Sequence, residues 1–264
     1  MKKTLIALAL AATAASGSAM AWTTNGTGGS VDLGGTLTPD VVVVPWEVKT
    51  GDAINNLDAT ISQGQSSVDI AVSGHHTLLG VRVADATNKT FTGQSGISPQ
   101  ISYGGALDFD SYTASLGGFA TLSLEVQDKN SSSRIGVLST TMYTGAQASY
   151  VGQDSVPHRV HVYAASAGDA FFGGLPKDSS AVAYDSWTIA SSVGSEYVDN
   201  YTDQGAQDDV ANVISFDDNA TSYSAFYYAG IRSGATLNIT LDSPASGNVP
   251  VEWKASLPIT VSYQ

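Results

Sequence analysis

Apolar and polar residues alternate with a period of two in short runs along the chain, and most runs are bounded by Gly, Ser, Asn or Asp. Because successive side chains of a β-strand point to opposite faces, each run predicts a strand with one buried side. In "ATLSLEVQD" the residues Leu122, Leu124 and Val126 share one face. The same pattern occurs in "SVDIAVSG" (67–74), "LLGVRVAD" (78–85), "RIGVLSTTM" (134–142) and "ATLNITLD" (235–242). The repetition predicts an all-β fold, an antiparallel sandwich or barrel.

The last stretch, "VEWKASLPITVSYQ" (251–264), carries the strongest strand pattern in the chain. Its apolar residues occupy odd positions and so share one face: Trp253, Leu257, Ile259, Val261 and Tyr263. Pro258 has no backbone N–H, which places it at the start of a strand or at a sheet edge. Since the pattern continues to the last residue, we expect no later strand to pair with its outer edge.

The segment "GGSVDLGGTLTPD" (28–40) has a complementary form, because Val31, Leu33, Gly35 and Leu37 share one face. An immunoglobulin-like sandwich that ends one strand early exposes a groove, and this segment from a neighbouring molecule would fill it by β-augmentation. Donor and acceptor surfaces differ in this arrangement, so its repetition gives an open fibre. The pattern alone also fits an ordinary first strand that pairs within its own domain.

The first 21 residues are typical of a secretory signal peptide cleaved before Trp22, with two lysines, an apolar run and a small-residue end. Cleavage removes Lys2 and Lys3 from a chain with 11 Lys and Arg and 24 Asp and Glu, so the net charge changes from −13 to −15. This acidic balance disfavours nucleic acid as a partner. The chain has no cysteine, although export permits disulfides, so we expect packing, a ligand or assembly to stabilise it.

The region from about 150 to 228 is richer in aromatic and acidic residues, and its alternation is weak. We expect an insertion of loops and short helices, with a binding surface, on a domain that spans residues 40–264. Aromatic faces stack on sugar rings, while carboxylates and amides bond to sugar hydroxyls. The candidate glycan-binding residues are therefore Tyr184, Asp185, Trp187, Tyr197 and Asn200. The alternative is that the aromatic residues close a small satellite core beneath the insertion.

No catalytic motif is present: the chain has neither a Gly-x-Ser-x-Gly sequence nor a phosphate-binding loop, so we expect no enzyme and no cofactor. The histidine groupings are His75-His76 and His158-x-x-His161. Residues i and i+3 of a strand point to opposite faces, which disfavours a metal site there. The acidic run 199–209 lacks the Gly and Glu spacing of a calcium loop and predicts a solvated acidic surface.

Three stretches carry a resemblance to a known family: "AWTTNGTGGSVDLGGTLT" near the start, "AGIRSGATLNITLD", and the terminal "VEWKASLPITVSYQ". They resemble the K88 (F4), F41 and CS31A group of major fimbrial subunits assembled by the chaperone–usher pathway. The resemblance implies an incomplete immunoglobulin-like β-sandwich, spanning 40–264, that is completed by donor-strand exchange with other copies of the chain. It also implies a periplasmic chaperone, an outer-membrane usher, a place in the fimbria on the bacterial surface, and adhesion to host glycoconjugates.

The same resemblance assigns roles to residues. The extension 22–39 becomes the donor strand, with Val31, Leu33, Gly35 and Leu37 as the inserted positions. The acceptor groove and chaperone contact then comprise Leu257, Ile259, Val261 and Tyr263. The rival function is a monomeric secreted carbohydrate-binding β-sandwich whose first strand folds back on its own domain.

Overall fold

The computed structural model describes residues 24–25, 33–37, 42–110, 117–247 and 250–264. The chain divides into two units, residues 1–40 and 41–264. In the first unit the described residues form a turn at 24–25 and an irregular stretch at 33–37. The predicted signal peptide (1–21) and Val31 lie outside the described residues.

Strands are the main regular elements of the second unit. They are β1 (Trp46–Thr50), β2 (Ser67–Ala71), β3 (His76–Val83), β4 (Phe91–Thr92), β5 (Pro99–Ser102), β6 (Leu107–Asp108), β7 (Phe119–Asp128), β8 (Arg134–Val151), β9 (Pro157–Val162), β10 (Val210–Asn212), β11 (Ser222–Ile231), β12 (Thr236–Leu241), β13 (Trp253–Ala255) and β14 (Thr260–Tyr263). The helix α1 (Ser186–Val193) and two 3₁₀ turns (Ser179–Ala181 and Ser195–Tyr197) lie between β9 and β10. The described chain is thus mostly β with one short helix, as the alternation predicts.

Twelve of the described strands join one sheet, in which β1-β3-β11-β8-β12-β2 are successive neighbours. The 18-residue β8 also pairs with β7 and β9. Within this sheet β10 runs parallel to β9, whereas the other described strand pairs are antiparallel, so the sheet is mixed. β5 and β14 form a separate two-stranded antiparallel sheet.

The main core lies where the two sheets pack on each other. Leu79 and Val81 of β3 and Tyr227 of β11 are fully or almost fully buried there, together with Ile101 of β5. A second apolar cluster lies against β2, β8 and β12 and includes Ile70, Leu138, Leu237 and Ile239. The residues of this second cluster come from the alternating runs, so the burial of one face is confirmed for β2 and β12.

The strand β11 is buried on both faces. Tyr223, Ala225 and Tyr227 face the main core, while Phe226 and Tyr228 face a third cluster, the satellite core, which includes Ile189 and Ala190 of α1. A strand covered on both sides needs no polar face, which explains why "SYSAFYYAG" does not alternate. Residues 222–228 therefore belong to a central strand of the large sheet, and the irregular region ends at residue 221.

The C-terminal segment changes sheet along its length. β13 pairs with β7 of the large sheet, whereas β14 pairs with β5 of the small one. The stretch 251–264 therefore forms two strands, and Pro258 precedes the second of them. The backbone crosses between the sheets around Pro258, whose missing N–H removes it from a strand ladder.

Candidate functional site

β14 has one paired edge among the residues that the structure describes. Its partners run from Thr260 opposite Ser102 to Tyr263 opposite Pro99. No strand within 42–110, 117–247 and 250–264 pairs with the other edge. The backbone donors and acceptors of that edge are therefore available to an added strand.

The apolar side chains of the C-terminal segment form a core surface that is incompletely covered. They pack against the main core and yet remain partly exposed: Leu257, Ile259, Val261 and Tyr263. The intervening Thr260 and Ser262 are exposed. Partial burial raises the pKa of the Tyr263 phenol. We call these four apolar residues and the free edge of β14 the terminal groove.

The crossover that leads into β14 requires a glycine beneath it. Gly104 adopts φ +63°, and a Cβ atom at this position would lie 2.5 Å from Cγ of Pro258. A side chain there would meet both backbone strain and a steric clash. Gly104 thus fixes the path of the chain from the large sheet to the terminal groove.

The described donor residues of the first unit are exposed. Leu33 and Leu37 are 95% and 98% exposed, and the stretch 33–37 contains no regular secondary structure. A Cβ atom added to Gly35 would have no neighbour within 4 Å. The predicted donor segment therefore presents two large apolar side chains to solvent around a glycine that leaves its backbone open to approach.

The candidate glycan-binding residues fall into two groups. Tyr184 and Trp187 are 57% and 49% exposed, next to the N-terminus of α1. Asp185 lies between them in sequence, and its Oδ1 accepts a hydrogen bond of 2.6 Å from the hydroxyl of Tyr143. The Tyr184 ring also contacts the ring of His161, with centroids 4.7 Å apart. We call the exposed residues Tyr184, Asp185 and Trp187 the aromatic surface, which offers two rings and a carboxylate.

Tyr197 and Asn200 lie inside the protein and hold the satellite core against β3. Asn200 donates a buried hydrogen bond of 2.7 Å to the carbonyl oxygen of Val83. The Tyr197 ring packs over Gly80, where an added Cβ would lie 2.7 Å from the ring. The satellite-core alternative therefore describes these two residues, which are 8% and 5% exposed.

Sequence reasoning missed an open cleft of about 560 Å³ where β8 ends and β9 begins. Tyr150 and Tyr223 supply its aromatic wall, and Asp154, Asn212 and Asp218 supply polar groups. The residues come from stretches up to 73 positions apart, between Tyr150 and Tyr223, so no local sequence signal marks them. The cleft combines aromatic rings with carboxylate and amide groups, as the aromatic surface does.

Two properties are absent from the residues that the structure describes. No group of three or more His, Cys, Asp or Glu side chains in these ranges is placed to hold a metal ion. No helix in the described part of the chain has the length and apolar character to cross a bilayer. What the geometry offers is binding and assembly surfaces.

A mostly β fold with an uncovered core surface at its last strand and an exposed apolar segment ahead of its first strand defines a subunit that assembles with other chains. Over residues 1–264 the sequence matches the family described as fimbrial major and minor subunits of the K88 type, and the chain belongs to this family. The predicted membership is confirmed.

Relatives from Escherichia coli match over all or nearly all of both chains. The chain is 28% identical to K88 fimbrial protein AC and 30% identical to F41 fimbrial protein, with 100% of each chain covered. It is 27% identical to K88 minor fimbrial subunit FaeI, with 93% of each chain covered. The chain is accordingly a structural subunit that polymerises with other subunits in a surface fimbria, and it is not an enzyme.

Proposed function

We propose that the chain is a major fimbrial subunit that polymerises by donor-strand exchange. Residues 22–39 of one copy, which begin the chain once the signal peptide 1–21 is removed, insert along the free edge of β14 in the next copy. The inserted strand completes an immunoglobulin-like sandwich spanning 40–264. The observation that carries this proposal is the match between two incompletely covered apolar surfaces, the exposed segment 33–37 and the terminal groove.

The energetics favour this exchange. Covering a leucine side chain fully contributes about 1.5–3 kcal/mol, and Leu33 and Leu37 are both available for it. Insertion also pairs the outer backbone groups of β14, which otherwise depend on water. Gly35 lets the donor backbone approach closely between the two leucines. A subunit without a donor strand has an exposed edge and a half-open core, so we expect it to aggregate.

The terminal groove needs a temporary cover before assembly. The family resemblance assigns this role to a periplasmic chaperone that lends a strand, and it assigns the exchange to an outer-membrane usher. The contact residues are the same for the chaperone strand and for the donor strand of the next subunit: Leu257, Ile259, Val261 and Tyr263. Their partial burial in the unassembled chain supports a site that accepts either partner.

The proposal includes a second role, adhesion to host glycoconjugates through the aromatic surface. Tyr184 and Trp187 are exposed rings suited to stack on a sugar, and Asp185 supplies a carboxylate beside them. The buried Tyr197 and Asn200 support this surface from below by fixing the satellite core. A subunit repeated along a fibre would present many copies of the surface, which increases avidity for clustered glycans.

The deciding experiment uses the mature subunit without residues 22–39, with and without a synthetic peptide of that segment. We expect the truncated protein to aggregate or unfold at low urea, and the peptide to restore a soluble species with a higher urea midpoint. A peptide with Asp at positions 31 and 33 should not rescue. A peptide with Asp at position 36, on the opposite face, serves as the matched control and should rescue.

The opposite result would favour the rival function. If the truncated subunit folds equally well and ignores the peptide, the opening segment is dispensable for the fold. The chain would then be a monomeric secreted carbohydrate-binding β-sandwich, and glycan binding by the isolated domain would become the first measurement.

A further inference from the structure

β9 carries two histidines that bind consecutive aspartates in the segment ahead of β10. Nδ1 of His158 lies 2.8 Å from Oδ2 of Asp208, and Nε2 of His161 lies 2.5 Å from Oδ1 of Asp209. The backbone N–H of Arg159 donates to Oδ1 of Asp208 at 2.8 Å. Because residues i and i+3 of a strand face opposite sides, the two histidines hold the segment 208–212 from both faces of β9.

The two histidines have different surroundings. The His158 side chain is 32% exposed and stacks on Tyr150, and its Nε2 lies 3.8 Å from a carboxylate oxygen of Asp154. The His161 side chain is only 3% exposed, and its Nδ1 is buried without a hydrogen-bond partner. Only His158, of these two, presents both ring nitrogens to carboxylates. A protonated ring at position 158 would therefore have a counter-charge beside each N–H.

We propose that His158 is a pH-sensitive clasp that fastens residues 208–212 to β9 in mildly acidic medium and loosens as the medium becomes alkaline. The clasp governs a short element, since β10 pairs with β9 through three residues only. Asn212, Val213 and Ile214 line the open cleft beside His158, so the clasp also fixes that wall of the cleft. This inference depends on neither strand donation nor glycan binding.

The charges around His158 give the sign of the effect. The hydrogen bond to Asp208 raises the pKa of His158 above its ordinary 6.5, and Asp154 acts in the same direction while partial burial opposes it. The contact with His158 in turn lowers the pKa of Asp208 below its ordinary 3.8. Stabilisation by His158 is therefore complete below about pH 6.5 and is lost as the pH rises through the raised value.

The acid limit follows from Asp208, whose contribution is present above about pH 3.8 and is lost as the pH falls through its lowered pKa. The other ionisable groups in the described part of the chain that line the cleft with His158 are Tyr150 on β8, Tyr223 on β11, Asp154 in the β8–β9 turn and Asp218 across the cleft. Arg159 points to the other side of β9 and pairs with Asp209 at 3.3 Å. The clasp is therefore tightest between about pH 3.8 and about pH 6.5, the ordinary pKa values of the two groups.

Hydrogen–deuterium exchange on intact fimbriae tests the clasp, with uptake followed in peptides that cover 203–213 and corrected for the intrinsic effect of pH. Between about pH 5.5 and about pH 8 we expect uptake to rise. The corrected exchange rate should rise about tenfold for each unit by which closure raises the pKa of His158. His158→Gln should remove the rise between the two pH values. His161→Gln should increase uptake at both pH values and should keep the rise between them. Peptides from β12 serve as the internal reference and should not change.

Equal protection of 203–213 at both pH values in the unaltered fimbriae would overturn the proposal without any variant. Asp208→Asn provides a second test, because it keeps the side-chain shape and removes the charge. It should remove the rise as His158→Gln does. A rise that persists in either variant would assign the pH response to other groups and overturn the role of His158.

Discussion

The indole Nε1 of Trp46 donates a buried hydrogen bond of 2.7 Å to the carbonyl oxygen of Ile97. The bond ties β1 to the chain that leads into β5, although the two residues are 51 positions apart. The indole also contacts the rings of Phe91, Phe171 and Phe216, with centroids 4.9 to 5.9 Å away. Trp46 therefore fixes the small sheet, and with it the terminal groove, against the large sheet.

Trp46→Phe should lower the free energy of unfolding by about 1–3 kcal/mol, because the variant leaves the buried carbonyl of Ile97 without a donor. Urea unfolding of the full-length subunit measures this change. Trp253→Phe is the matched control, since Trp253 is only half-buried, and it should cost less than Trp46→Phe. Equal losses in the two variants would mean that ring volume matters and the hydrogen bond does not.

Val261→Asp should abolish fibre formation, because a charged side chain would face the apolar terminal groove without a partner. Ser262→Asp, one residue further on, is exposed on the opposite face of β14 and should leave assembly intact. Electron microscopy of cells that produce each variant, with immunoblots of the periplasmic fraction, measures both outcomes. Normal fibres from Val261→Asp would remove the groove from the assembly mechanism.

Trp187→Ala should weaken binding of fimbriae to host glycans about tenfold, which is the loss expected for one aromatic stacking contact of about 1.4 kcal/mol. Thr188→Ala changes an exposed neighbour on α1 and should bind normally. Glycan arrays probed with intact fimbriae identify the ligand, and titration then gives the affinities. Unchanged binding by both Trp187→Ala and Tyr184→Ala would exclude the aromatic surface and direct attention to the cleft at Tyr150.

The hydroxyl oxygens of Tyr103 and Tyr227 lie 2.8 Å apart in the main core, and Tyr227 donates to the carbonyl of Gly174 at 3.0 Å. Burial raises the pKa of both phenols far above their ordinary 10. Their stabilisation is therefore complete below about pH 10 and is lost as the pH rises through the raised values. We expect tyrosinate absorbance from these residues to appear together with loss of the circular dichroism signal. Their ionisation in a folded subunit would contradict this assignment.

The strands with one exposed face were predictable from the sequence, as Leu122, Leu124 and Val126 illustrate. β11 was not, because a strand that α1 covers on its second face shows no alternation. The division of the C-terminal segment into β13 and β14 also escaped prediction. Both halves keep the same alternation, and only their partners differ.

The candidate sites show a similar division. An exposed apolar segment and an apolar terminal strand are local patterns, so the sequence predicts both of them. The contacts of His158 with Asp208 and of Asn200 with Val83 join residues 50 and 117 positions apart. Such pairs depend on the register between strands, which a single sequence does not specify. Tyr197 and Asn200 therefore resembled surface residues although they support the satellite core.

The two-sided burial of β11 has a consequence for quality control during export. Phe226 and Tyr228 become solvent-exposed whenever the satellite core around α1 is unformed. A subunit in that state would expose aromatic side chains that promote aggregation, even if its terminal groove were already covered. The proposed donor strand covers the terminal groove and leaves this second face of β11 to residues of the same chain, such as Ile189 and Ala190. The satellite core must be completed by the chain itself, so mutations there would reduce the yield of exportable subunits before they affect the fibre.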